Sequence, residues 1–120
     1  MFQASCHCGG ITLTAVQPPA TVTSCNCSIC YRLGSLWAYF TADQIEIVKV
    51  TELREYSWGD KMIRYYSCTQ CGCTTHYMSL QKDGRIRVAI NTRMAALADT
   101  KNIPVRYFDG ADSWRYLGEA

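Results

Sequence analysis

Three thiols fall within one short stretch, Cys25-Asn26-Cys27-Ser28-Ile29-Cys30. Two further cysteine pairs flank it, Cys6-His7-Cys8 upstream and Cys68-Thr69-Gln70-Cys71 downstream, and Cys73 follows the last pair. Thiolates this close together converge well on one small cation. They make poor disulfide partners at Cys-x-Cys spacing, because a disulfide accepts only a narrow range of separations and torsions. A disulfide framework would also spread its cysteines over the loops it staples, whereas none of the eight lies beyond Cys73. Ligand type and spacing favour zinc over disulfides and over an iron–sulfur cluster.

Stoichiometry divides the ligands. Structural zinc is almost always four-coordinate, and Cys6, Cys8, Cys68 and Cys71 make one closed, all-sulfur set. That ion would pin the start of the chain to its middle, in place of core that a short chain cannot supply. Cys25, Cys27 and Cys30 remain: three ligands and one exchangeable position, the arrangement of catalytic zinc. Three thiolates leave the metal a weak Lewis acid. Such a site suits binding and deprotonating a thiol better than making hydroxide from water. The competing expectation is that Cys73 or His76 completes the second site and makes it structural too. Cys73 also reads as a small buried hydrophobe. His76 stands on a predicted strand, where a packing role is the simpler reading, and His7 is expected to face solvent. Arg32 reads as a surface charge, with anchoring of a substrate carboxylate as the alternative. The Trp37-Ala38-Tyr39-Phe40 run reads as core, with walling of the second metal as the alternative.

The elements that must carry these clusters are short. Ile11 to Val16, Ile45 to Val50 and Arg85 to Asn91 alternate apolar and polar residues, the mark of half-buried strands. Phe2 to Ser5, Thr21 to Ser24, Leu36 to Thr41, Leu53 to Trp58, Met62 to Ser67 and Thr74 to Leu80 also read as strands. Gly9-Gly10 and Gly72 sit where the backbone must fold back beneath a metal. Ser28 is the expected N-cap of a short helix through Leu33, closed by Gly34. Met94 to Ala98 reads as one helical turn. The tail, with Tyr107, Phe108, Trp114 and Tyr116, is expected to pack onto the sheet. Six to nine short strands and little helix predict a mainly β protein, a sandwich or open barrel.

A length of 120 residues predicts a single zinc-binding domain spanning 1–120. The net charge of +2 is spread along the chain without a basic run, so no nucleic-acid partner is expected. No apolar run is long enough to span a bilayer, and the N-terminus lacks the order of a signal peptide. A cytoplasmic protein is expected, in a compartment where disulfides are rare.

The pattern Cys6-x-Cys8-Gly9, Cys25-x-Cys27-x-x-Cys30 and Cys68-x-x-Cys71-Gly72 resembles the glutathione-dependent formaldehyde-activating enzyme family, to which centromere protein V belongs. The likeness extends to Arg32, Gly34 and the Pro104-Val105-Arg106-x-Phe108-Asp109-Gly110 segment. It implies a tent-like β fold with zinc knuckles, related to methionine sulfoxide reductase B and to a Rab exchange accessory protein. It implies a structural zinc on Cys6, Cys8, Cys68 and Cys71 and a catalytic zinc on Cys25, Cys27 and Cys30. The activity it implies is that of a carbon–sulfur lyase, acting on the adduct of glutathione and formaldehyde, S-hydroxymethylglutathione, or on a related adduct of a thiol and a small aldehyde. Family likeness fixes substrate poorly, since function belongs to the site and not the fold. The alternative is a non-catalytic, zinc-stabilised binding module with a protein partner, its contact surface supplied by the late aromatic segment. A reductase of the methionine sulfoxide type is disfavoured, because it needs a reactive cysteine outside the clusters and only Cys73 is spare.

Overall fold

The structure, a computed structural model, describes residues 1–118. In chain order the strands are β1 (Phe2–Ser5), β2 (Ile11–Ala15), β3 (Val22–Cys25), β4 (Trp37–Thr41), β5 (Ile45–Lys49) and β6 (Leu53–Tyr56). They continue as β7 (Ile63–Cys68), β8 (Thr74–Leu80), β9 (Ile86–Asn91), β10 (Val105–Phe108) and β11 (Tyr116–Leu117). Helix is confined to α1 (Ser28–Leu33), α2 (Leu97–Thr100) and two 3₁₀ turns. The protein is mainly β, as expected, and its strands form open sheets. One has the order β1-β2-β5, the other β11-β10-β3-β4-β9-β8-β7-β6. Among the described residues every pairing is antiparallel except β3 with β10, which lie parallel.

The period-two alternation of the strands decides which side chains meet. Ile11, Leu13 and Ala15 on β2 point one way and are fully buried. With Phe2 and Ala4 of β1 they pack on Ala38, Phe40 and Ile90 of the large sheet. Fully burying each large aliphatic side chain contributes about 2 kcal/mol. The intervening residues of the same large-sheet strands, Trp37, Tyr65, Tyr77 and Ala89, point to the other face and form a second cluster around Cys30. The large sheet therefore carries an aliphatic core on one face and an aromatic, sulfur-containing one on the other.

Several local expectations shift. The tail forms two strands of its own, which raises the strand count above the expected range. The N-cap of α1 is Cys27, and Ser28 is the first helical residue. The cap is one residue early because the backbone must bring the Cys27 thiol beside its two neighbours. Gly34 closes the helix as expected, in the left-handed conformation at φ 63° that costs glycine least. The turn expected over Met94 to Ala98 divides into a 3₁₀ turn ending at Met94 and helix α2. Among the described residues no helix is long and apolar enough to cross a membrane.

His76 of β8 is fully buried on the aliphatic face, stacked on Tyr66 with Nδ1 2.7 Å from Thr75 Oγ1. Burial lowers its pKa to about 4, and the positive charge of Lys49 adds to the shift. In the unfolded chain the ring takes up a proton near pH 6.5. The stability that the neutral ring confers is thus complete above that pH and is lost as pH falls toward 4, a difference on the order of 3 kcal/mol. Between pH 7 and pH 5 the unfolding free energy of the native chain should fall about 2 kcal/mol further than that of His76→Phe. Urea titration at the two pH values measures it, and equal falls would show that His76 does not titrate on unfolding.

Candidate functional site

Two groups of sulfur atoms converge, and each could hold a metal ion: Cys6, Cys8, Cys68 and Cys71 in one, Cys25, Cys27 and Cys30 in the other. Within each group all Sγ atoms lie within 4.8 Å of one another. None of the eight cysteines is in a disulfide.

The first group is held by two tight turns. In one, the Gly9 N–H donates to the Cys6 carbonyl at 3.0 Å; in the other, the Gly72 N–H donates to the Cys68 carbonyl at 2.9 Å. Both glycines adopt positive φ, 80° and 78°, where a side chain would strain the backbone. These turns aim N–H groups at sulfur: Ile11 N–H at Cys6 Sγ (3.3 Å) and Gln70 N–H at Cys68 Sγ (3.4 Å). Thr51 Oγ1 lies 3.2 Å from Cys68 Sγ. Backbone N–H groups of Cys73 and then Cys8 hold the Cys71 thiol down at about 5. Donors favour the thiolate at Cys71. Cys8, against the pull of the Gly10 N–H, is pushed up to about 12 by desolvation and by its neighbouring sulfurs, so the crowded cluster does not ionise as a whole by itself.

The second group sits at the end of β3 and the start of α1. Cys30 is buried, and Trp37 Nε1–H donates to its Sγ at 3.3 Å. A hydrogen bond from Cys30, then donation by the Cys27 N–H, brings the Cys25 thiol down to about 6, against the opposing effect of burial. The Gly110 N–H adds to this. Burial, and then the charge that the neighbouring cysteine sulfurs carry when ionised, push the Tyr65 hydroxyl well above the usual phenol range, so it stays protonated beside them. The C-terminal segment closes over the cluster through Asn26. Its Nδ2 donates to Asp109 Oδ1 (2.9 Å), and its Oδ1 accepts from the Ala111 N–H (3.0 Å). Gly110 has no room for a side chain: a Cβ there would lie 2.8 Å from Cys25 Sγ and 3.1 Å from Cys27 Cβ.

Two cavities meet at this cluster. The inner one, about 400 Å³, is walled by all three cysteines and by aromatic rings from β4, β7, β8 and the tail. The outer one, about 590 Å³, opens beside Asn26, Cys27 and Trp58. Cys27, Ile63, Tyr65 and Trp114 border both. The strand register explains the inner wall. Tyr65 stands opposite Tyr77, Tyr77 opposite Ala89, and Ala89 opposite Tyr39.

Among the described residues no further cysteine, histidine, aspartate or glutamate joins Cys25, Cys27 and Cys30. Cys73 packs beside the first cluster, and His76 lies on the opposite face of the sheet, so neither completes the second. His7 is exposed. Arg32 is exposed, donates to the Ser28 carbonyl at 2.8 Å and lines neither cavity. The Trp37-to-Phe40 run does both things considered for it: Ala38 and Phe40 are core, while Trp37 and Tyr39 wall the inner cavity. Sequence reasoning missed Tyr65, Tyr77 and Arg87 as cavity residues. Strand alternation places them on one face but does not say which face meets the cysteines.

The sequence profile described as glutathione-dependent formaldehyde-activating enzyme matches residues 1–107. The fold is similar to the crystal structure of a Rhodobacter sphaeroides protein that is 23% identical, with a TM-score of 0.68 over 86% of this chain and 98% of that one. Comparison with curated proteins gives no match. The three cysteine clusters lie inside the matched span, in the order and spacing read from the sequence. The chain belongs to the glutathione-dependent formaldehyde-activating enzyme family.

Proposed function

We propose that the chain is a zinc-dependent, carbon–sulfur lyase-type enzyme that joins a thiol to a small aldehyde and runs the reverse cleavage. Glutathione and formaldehyde are the pair that the family's description names. The observation that carries this reading is the group of three convergent thiols with no fourth side-chain ligand, opening on a cavity. The sulfur spacing of the first cluster suits zinc, and the sulfurs of the second lie within 4.8 Å of one another. Two thiolates on one tetrahedral zinc, at about 2.3 Å each, stand about 3.8 Å apart; Cys6 to Cys8 and Cys8 to Cys68 are each 3.6 Å. Cys6, Cys8, Cys68 and Cys71 would hold a structural ion, and Cys25, Cys27 and Cys30 a catalytic one. When bound there, zinc would supply an electrophilic centre that keeps an incoming thiol ionised at neutral pH.

In the forward direction the thiol sulfur forms a bond to the carbonyl carbon, the carbonyl π bond breaks, and its oxygen takes up a proton. Tyr65, protonated and bordering both cavities, is the residue we assign to donate toward that oxygen. Trp37 donates to Cys30 and so fixes one ligand sulfur and tempers its charge. Burial of the cluster beneath Gly110 and the tail limits competing water. The reading also implies a reducing compartment such as the cytoplasm, where these thiols stay available. A purely structural module with a protein partner would use the exposed Tyr107, Trp114 and Leu117 of the tail, but it gives no role to the three-thiol group or to the cavity that Phe108 and Tyr116 line.

X-ray absorption at the zinc edge tests the reading, together with the rate of adduct formation between thiol and formaldehyde. The expected result is two zinc ions per chain, one of them with a non-protein ligand that a thiol replaces, and a thiol–aldehyde rate raised by the protein. Two sites saturated with protein sulfur and an unchanged rate would overturn it.

A further inference from the structure

This inference rests on the reading of Cys25, Cys27 and Cys30 as a thiol-binding centre, and it concerns which thiol. The inner cavity has two unlike ends. At one lie the three sulfurs, against Trp37; at the other lies Arg87, the one charged side chain in its wall. Arg87 stands opposite Ser79 and Thr41 in the sheet, next to the Ala89 position along β9. Its guanidinium reaches over the Tyr39 ring, 4.7 Å from the centroid, and hydrogen-bonds to the Tyr77 hydroxyl. Tyr39 is one strand row from Trp37, two residues at about 3.3 Å each. Arg87 itself pairs with Thr41, further along β4 than Tyr39, so the cation is set apart from the sulfurs along the strand direction.

Arg87 is half-buried and has no carboxylate partner among the described residues. The nearby Asp83, on the outer side of the same strand ends, pairs with Arg85 at 3.7 Å. A partly desolvated guanidinium is compensated only in part by an aromatic face and one hydroxyl. An anion arriving from the cavity would complete it with charge-assisted hydrogen bonds. Burial raises Tyr39 to about 12, so its hydroxyl stays protonated beside Arg87, while the Tyr77 hydroxyl is engaged with Arg87 and Tyr39.

We infer that the thiol handled by this chain is flat and apolar, an aryl or arylalkyl thiol bearing a single carboxylate-like anion, with Arg87 as its specificity-determining residue. Its sulfur meets the cysteine end, its ring lies in the cavity against the wall formed by Tyr65, Tyr77 and Tyr39, and its anion meets Arg87. The small aldehyde enters through the outer cavity. Glutathione matches this cavity less well. It brings two carboxylates and an ammonium, whereas the two cavities together offer one cation, Arg87, and one anion, Asp60.

The test is titration of the cobalt(II)-loaded full chain, following the cobalt–thiolate charge-transfer absorption as a fourth sulfur joins. The probes are 4-mercaptobenzoate, 4-methylbenzenethiol and glutathione. The native chain should bind 4-mercaptobenzoate more tightly than glutathione. Arg87→Met should weaken 4-mercaptobenzoate about tenfold to a hundredfold and leave 4-methylbenzenethiol unchanged, which also shows that the variant is folded. Arg87→Lys should recover part of the loss. Tighter binding of glutathione than of 4-mercaptobenzoate overturns the inference and leaves the thiol-binding reading standing. Equal weakening of both aryl thiols by Arg87→Met also overturns it. A spectrum that no thiol changes removes the thiol-binding reading and this inference with it.

Discussion

Replacing Cys68 with serine is expected to leave the chain unfolded at neutral pH and 25 °C. Cys68 is buried at the end of β7, 3.6 Å from Cys8 Sγ, and accepts from Gln70 N–H and contacts Thr51 Oγ1. Its cluster ties the loop after β1 to the turn between β7 and β8, on strands that belong to different sheets. Structural zinc contributes roughly 10 kcal/mol or more to folding in small zinc domains, and a domain's whole stability is about 5–15 kcal/mol. Loss of one thiolate and most of that binding energy therefore exceeds what the two hydrophobic clusters can hold. Far-ultraviolet circular dichroism and proteolysis measure it, and exhaustive chelation should reproduce it in the native chain. A cooperative thermal transition near that of the native protein in Cys68→Ser would show that the sheets dock without this centre.

Replacing Cys27 with serine should have the opposite profile, with the fold kept and the activity lost. Cys27 is the N-cap of α1, a position that serine fills well. Its thiol borders both cavities, and its carbonyl accepts from the Tyr31 N–H at 2.9 Å, a bond that the substitution leaves in place. The variant should bind one zinc per chain, against the two proposed for the native chain. Removing a residue that merely hydrogen-bonds to a metal ligand costs about 10- to 100-fold in affinity or activity. Losing a ligand should cost at least about a hundredfold in the rate of thiol–aldehyde adduct formation. Thermal denaturation should change little, which separates this loss from the collapse expected of Cys68→Ser. Native rates in Cys27→Ser would remove the three-cysteine group from the chemistry.

The two substitutions differ because the clusters are placed differently. Cys6, Cys8, Cys68 and Cys71 join the loop after β1 to the β7–β8 turn, segments remote in the chain and belonging to different sheets. Cys25, Cys27 and Cys30 lie on one continuous stretch, where β3, the tail strands and Trp37 already hold the backbone. Closure by the tail is equally local to this second cluster. Asp109 accepts from Asn26 and from the Ser113 N–H and hydroxyl, and these bonds lower its pKa. Trp114 is held there at φ 59°, a conformation uncommon for a bulky residue, at the wall shared by the two cavities.

Much of this protein is determined by spacing along the chain. A Cys-x-Cys or Cys-x-x-Cys pair followed by glycine forms a turn that points its sulfurs one way, which made the first cluster legible, and the helical spacing of Cys27 and Cys30 did the same for the second. The same holds for the strands that alternate strictly, such as Ile11 to Ala15, and for Gly34 at the end of α1. Alternation, however, sorts side chains into two faces without saying what each face meets. That Trp37, Tyr65, Tyr77 and Arg87 share a cavity with the cysteines was settled only by pairing of β4, β9, β8 and β7 in register. The parallel pairing of β10 with β3, and with it the fit of Gly110 against Cys25, joins residues remote in the chain. Such contacts depend on the docking of whole strands, which no local spacing encodes.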